Sequence, residues 1–189
     1  MKKYVLMLLL ASGLTAQAQQ DDCNFTVVTT DTGETKSTPE YLMHEKVFAG
    51  TSSFVFFSMT LHDDIPVLNF QLLAKSDDFP KAYCFTKKSR IHLQLTSGKV
   101  ITLYCIDEDA CSQLLYDEAE KKNLRMLNGH FLFTKGSIED LEASPVLFMR
   151  VLYSAETVDY PLRSNLESET MGKNYKPDSY FIQYLKCVK

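Results

Sequence analysis

Residues 90–105 alternate with a period of two. Ile91, Leu93 and Leu95 are separated by His92 and Gln94; after Ser97-Gly98, Ile101, Leu103 and Cys105 are separated by Thr102 and Tyr104. Successive side chains of an extended chain point to opposite faces, so each run carries one apolar and one polar face. Two such runs around a two-residue polar turn predict an antiparallel hairpin buried on one side. The pattern recurs. Strands are expected at 23–30, which ends in the turn signal Asp31-Thr32-Gly33-Glu34, and at 53–61 (SFVFFSMTL). Others are expected at 65–74 (IPVLNFQLLA), at 129–134 and at 146–153. In the last, Leu147, Met149, Val151 and Tyr153 are expected on one face and Arg150 on the other.

Helical signals are few. Ser137 followed by Asp140 resembles a capping box and predicts a short helix that Pro145 ends. Near the C-terminus Asp178 is a candidate cap for a helix with Phe181, Tyr184, Leu185 and Val188 on one face; a strand reading of the same stretch is the weaker alternative. The fold class expected is mainly β: an antiparallel β-sandwich or open barrel with a short internal helix and a C-terminal helix. Its core would be rich in rings, since the 189 residues include 12 Phe and 10 Tyr but no Trp. Only 7 Gly and 6 Pro occur, nothing repeats, and no linker divides the chain, so one domain is expected.

The first 18 residues, MKKYVLMLLLASGLTAQA, have the form of an address. Lys2 and Lys3 precede a short apolar run from Val5 to Leu10, and Ala16 and Ala18 form an A-x-A cleavage site. The run is too short to cross a bilayer as a helix. Residues 1–18 are therefore read as a signal peptide and 19–189 as a single β-rich domain. Asp21 and Asp22 before Cys23 argue against a lipidated cysteine. Removing 18 residues with two lysines and no acid takes the formal charge from −4 to −6, which speaks against nucleic-acid binding. The expected location is secreted or periplasmic, with no membrane span in the mature chain.

Export permits disulfides. The candidates are Cys23, Cys84, Cys105, Cys111 and Cys187, an odd number that leaves at least one thiol free, shared between chains or trapped in a core. Cys105 and Cys111 bracket the acidic tip Asp107-Glu108-Asp109, and their short separation makes a local bridge the first expectation. Cys187 is expected to reach another cysteine, with Cys84 the first candidate; Cys84 also suits a small buried side chain.

No motif carries chemistry. Asp31-Thr32-Gly33 matches the aspartic-protease triplet, but that mechanism needs two carboxylates sharing a proton, and one copy is present. A β-turn is the reading preferred. His62-Asp63-Asp64 reads as a solvated turn, because His44, His92 and His130 stand singly without metal-ligand spacing. Residues 107–120 hold six acids and no base, without the Gly and alternating ligands of a calcium loop, and read as a charged insertion. G-x-S-x-G, G-x-G-x-x-G and G-x-x-x-x-G-K are absent. The sequon Asn24-Phe25-Thr26 means little behind a bacterial-looking signal. No catalytic residue, metal or cofactor is assigned.

Three blocks resemble a group of small, uncharacterised secreted proteins of the bacterial envelope. They are Cys23…Asp31-Thr32-Gly33-Glu34…Lys36…Thr38, then Lys88-Ser89…Leu93…Gly98…Ile101-x-Leu103, and Tyr180-Phe181-Ile182…Leu185-Lys186-Cys187. The resemblance implies an exported β-rich domain and no catalytic residues. The function expected is a noncatalytic binding or structural module of the envelope, with an envelope protein or a small apolar ligand as partner. The alternative is an apolar-ligand carrier built as a calyx-like barrel, although the Gly-x-Trp of lipocalins is missing. An eight-stranded outer-membrane barrel is disfavoured by the ending Cys187-Val188-Lys189. A hydrolase acting through Asp31 and Asp64 is the remaining, weakest reading.

Overall fold

The computed structural model describes residues 23, 25–30, 33–62 and 64–188. The signal peptide read at 1–18, Asn24 of the sequon, Asp31 and Thr32 of the protease-like triplet, and Asp63 lie outside the described residues.

The chain is mainly β and antiparallel, as expected. It opens with β1 (Thr26–Thr30) and β2 (Gly33–Ser37), which pair from Thr26–Ser37 to Thr30–Gly33. Then come β3 (Tyr41–Phe48), β4 (Thr51–His62) and β5 (Ile65–Ser76), a meander whose long strands pair over their whole length. The aromatic and β-branched content of 53–61 suits a pleated surface half buried in a core. The β4–β5 turn contains Asp64 at φ 61°, a conformation that Asp tolerates in tight turns.

β6 (Cys84–Thr86) leads to β7 (Arg90–Leu95) and β8 (Val100–Cys105), the hairpin read from the alternation. Its loop has three residues rather than two. The Leu95 N–H donates to the Lys99 carbonyl at 2.8 Å, and Gly98 sits at φ 88°, where a side chain would be strained. β9 (Asp109–Cys111) and β10 (Gln113–Asp117) occupy the stretch expected as a charged insertion, which is corrected here to paired strand. β11 (Lys122–Leu132) starts earlier than the expected 129 and pairs with both β5 and β10.

After the short helix α1 (Ser137–Ala143) come β12 (Val146–Leu152) and β13 (Thr157–Pro161). The expectation that Leu147 shares a face with Met149 fails. A bulge between Val146 and Phe148 shifts the register, so Val146 is fully buried and Leu147 is 55% exposed. The small hairpin of β14 (Leu166–Ser168) and β15 (Lys173–Tyr175) follows. The chain closes with a 3-10 turn, helix α2 (Tyr180–Tyr184) and another 3-10 turn, so the C-terminal helical reading holds.

The main sheet runs β1-β2-β4-β5-β11-β8-β7-β12-β13, with β3 beside β4 and β10 beside β11. β11 follows β5 from Asn123 to Leu132, but meets β8 only at Phe131–Cys105 and Leu132–Tyr104. The sheet turns a corner there, and its two halves pack face to face around one core. Phe85 of β6 is wedged between them, 5.4 Å from Phe70, 5.1 Å from Phe131 and 5.1 Å from Tyr153, ring centre to ring centre. Phe181 of α2 reaches Phe57 from the side. Beyond the area they bury, such ring pairs contribute about 0.5–1.5 kcal/mol each.

Two edge strands lie near one another: among the described residues β3 pairs only with β4 and β13 only with β12. The barrel is therefore not closed. Rings fill the space that a calyx would leave for a ligand.

Cysteine pairing differs from the first expectation. Cys84 bonds Cys111 and Cys23 bonds Cys187, while Cys105 is free and buried. Alternation explains the correction. Cys105 continues the inward face of Leu103 and lies 5% exposed in the core, whereas β6–β9 pairing sets Cys84 directly opposite Cys111.

Candidate functional site

The edge strands β3 and β13 leave a groove of 590 Å³ between them. His44 and Lys46 of β3 line one side, Val158 and Tyr160 of β13 the other, and Leu72 of β5 with Tyr83 the floor. Each wall owes its side chains to strand alternation: 44 and 46 share one face of β3, as do 158 and 160 on β13.

His44 spans the seam between the two ends. Its ring meets Tyr160 edge-on at 5.2 Å. This ring contact lies where backbone ladder bonds would close a barrel. Burial holds the His44 pKa below the ordinary imidazole value; the Pro161 backbone opposes that shift, and Arg163 and Lys46 add to it. Three tyrosines lie behind. The Tyr153 and Tyr160 hydroxyls are 2.9 Å apart, and the Tyr83 ring is 4.5 Å from that of Tyr153. Burial pushes the Tyr160 hydroxyl up to about 12, and that of Tyr153 further. These hydroxyls stay protonated and serve as hydrogen-bonding groups.

The rim is formed by residues 77–83, which the β11 side chains clamp. Asn123 Nδ2 donates to the Asp77 carbonyl at 2.9 Å and Arg125 Nε to the Pro80 carbonyl at 2.6 Å. The clamp presents Phe79, 73% exposed, at the groove mouth. Lys81 pairs with Glu156 at 2.6 Å, and Lys75 with Glu120 at 2.8 Å and Asp117 at 3.2 Å. The groove thus combines apolar and aromatic lining with imidazole, phenol and ammonium groups and the carboxylates of Asp78 and Asp159, the last paired with Arg150.

Two other clefts are built differently. One of 810 Å³ lies between the 86–89 and 152–157 turns, where Lys87 pairs with Glu108 at 2.5 Å. Another, of 580 Å³, is lined by His62, Ile65, Ile106 and His130. There Asp107 accepts from the His130 N–H at 2.7 Å and meets its ring at 3.0 Å.

Of the residues weighed from sequence, His62, His130 and Asp107 come together at this last cleft, and the others lie apart. Asp64 sits in the β4–β5 turn and His62 beside it, while His92 contacts Thr102 at 2.9 Å on an outer sheet face. Four of the six acids of 107–120 are paired locally: Asp107 with His130, Glu108 with Lys87, Asp117 and Glu120 with Lys75. Among the described residues no group of three His, Cys, Asp or Glu stands close enough to hold a metal. Sequence reading missed Phe79, Tyr83 and Tyr160. The signal available was Asp78-Phe79-Pro80, which sets a ring in a turn segment where burial is not expected. Neither a family model, a curated protein nor a solved structure matches this chain, and the likeness to envelope proteins stands on the sequence blocks alone.

Proposed function

We propose that this chain is an exported, noncatalytic binding module of the bacterial envelope, and that the groove between β3 and β13 is where it binds. The observation that carries the reading is the open seam. The sheet stops short of closure, the His44 ring reaches Tyr160 across the gap, and the space beside it is lined by Leu72, Val158 and aromatic rings. A secreted or periplasmic location agrees with the N-terminal address and with two disulfides, which persist in oxidising compartments.

The ligand chemistry that fits is a small apolar body carrying an acid. Rings and aliphatic side chains would hold the body, and Lys46, for which no ion-pair partner is found among the described residues, would face the acid. This keeps the small apolar ligand of the alternative reading but moves it from a barrel interior to a surface groove.

An anilinonaphthalene sulfonate probe tests the proposal, since it joins fused rings to one anionic group. Saturable fluorescence enhancement at a single site is expected, weakened about tenfold by Phe79→Ser or Lys46→Glu on the groove rim. Linear, unsaturable titration would dismiss the groove, as would saturation indifferent to both variants.

A further inference from the structure

The edge strand β10 carries a second inference, independent of the groove. Among the described residues β10 pairs only with β11, and its other edge has no strand beside it. Leu114, Leu115 and Tyr116 are 43%, 44% and 53% exposed. Natural sheets blunt such edges with charge, proline or a bulge. The edge strands β3 and β13 do so: β3 carries Glu45 and Lys46 with a register shift at Leu42–His44, and β13 carries Asp159 and Pro161. From Gln113 to Tyr116, β10 has none of these.

We propose that β10 pairs with β10 of a second copy of this chain, antiparallel about a two-fold axis through Leu115. A two-fold contact needs a self-complementary strand, and this register supplies one on both faces. On one face Leu115 meets the partner's Leu115, flanked by Gln113 opposite the partner's Asp117. Asp117 already accepts from the Ala119 and Glu120 N–H groups at 3.0 and 3.1 Å and from Lys75 at 3.2 Å, so no unbalanced charge enters the contact. On the other face Leu114 meets the partner's Tyr116, an aliphatic–aromatic cross-strand pair of the kind that stabilises sheets. Moving the axis one residue toward Asp117 sets that carboxylate opposite leucine.

The charge pattern favours a second copy over an unrelated strand. Gln113 and Asp117 stand opposite one another when the same five residues are reversed. The area is small. Two five-residue strands bury less than the roughly 1,200 Å² of a standard interface, so the dimer is weak, half-formed at roughly 10–1,000 μM. It joins two sheets into one, with the order β5-β11-β10-β10-β11-β5 across the axis.

Sedimentation of the purified chain from 1 μM to 1 mM tests this. Reversible growth toward twice the monomer mass is expected, with Leu115→Lys weakening it about tenfold or more by placing two ammonium groups face to face. Leu147→Lys, on an exposed position of β12, leaves it unchanged. Leu115→Cys gives a register-specific second readout. Mild oxidation cross-links it across the axis into a covalent dimer, whereas Gln113→Cys faces the partner's Asp117 and does not cross-link. A monomer throughout that range overturns the proposal, and so does a dimer that survives Leu115→Lys or cross-links equally at both positions. An unreactive Cys105 thiol in each variant shows that the core is intact.

Discussion

A Cβ at Gly129 would lie 2.5 Å from the Phe85 ring and 3.2 Å from that of Phe131. Both rings are fully buried and wedged among neighbours, so neither can retreat cheaply. Gly129→Ala is therefore expected to destabilise the chain by about 1–3 kcal/mol, through overpacking rather than backbone conformation. Denaturant unfolding of the variant, with an unchanged slope and a lower midpoint, checks this. Cys105 shows how far single residues were legible. Its alternation with Thr102 and Tyr104 announced an inward side chain, yet its short separation from Cys111 suggested a bridge. Burial won: the thiol faces the core, its pKa is raised to about 11 chiefly by desolvation, and Cys111 is aligned with Cys84 instead. Nearness along a chain says little about direction, and a disulfide needs both.

At the scale of elements, the strands with clear alternation were legible and their local irregularities were not. β7 and β8 fall within a residue of the runs that announced them. The bulge in β12 was invisible because Val146 and Leu147 are both apolar, and only pairing against Leu95 and Gln94 chooses which turns inward. The choice predicts unequal substitutions. Val146→Ala should cost about 1–3 kcal/mol by opening a cavity, while Leu147→Lys should stay within about 0.5 kcal/mol. Thermal unfolding of the two variants side by side measures the contrast. The helix signals were right about place and wrong about mechanism. Gly136, at φ 80°, precedes α1, and Ser137 is its first residue, so the Ser137 hydroxyl donates to the Thr134 carbonyl at 2.6 Å rather than capping. Asp178 accepts from the Ser179 hydroxyl at 2.6 Å and caps nothing in α2. β9 and β10 were hidden by the acids in and beside them; Asp107 and Glu108 just before β9 bond His130 and Lys87, and Asp117 at the end of β10 pairs with Lys75.

For the whole molecule, the two disulfides fasten what the open sheet leaves loose. Cys23–Cys187 joins residues 164 apart, tying the start of the described chain to the C-terminal 3-10 turn behind α2. Cys84–Cys111 joins residues 27 apart and braces the strand that carries Phe85. Restricting the unfolded chain stabilises by about 5 kcal/mol for the longer loop and about 3.5 kcal/mol for the shorter, as upper values. Replacing Cys23 and Cys187 together by Ser is thus expected to lower the unfolding free energy by several kcal/mol and the melting temperature by roughly 10 °C or more, measured by calorimetry without reductant. The amino-acid sequence by itself determined that this chain would be mainly β, antiparallel and ring-filled, with a helical end, because alternation and side-chain volume are local properties. Only tertiary structure decided which cysteines meet, that the sheet folds at β11, and that β3 and β13 approach without pairing. Those outcomes depend on where strands distant in sequence come to lie once the rings have packed, and the groove is the space that this packing leaves between them.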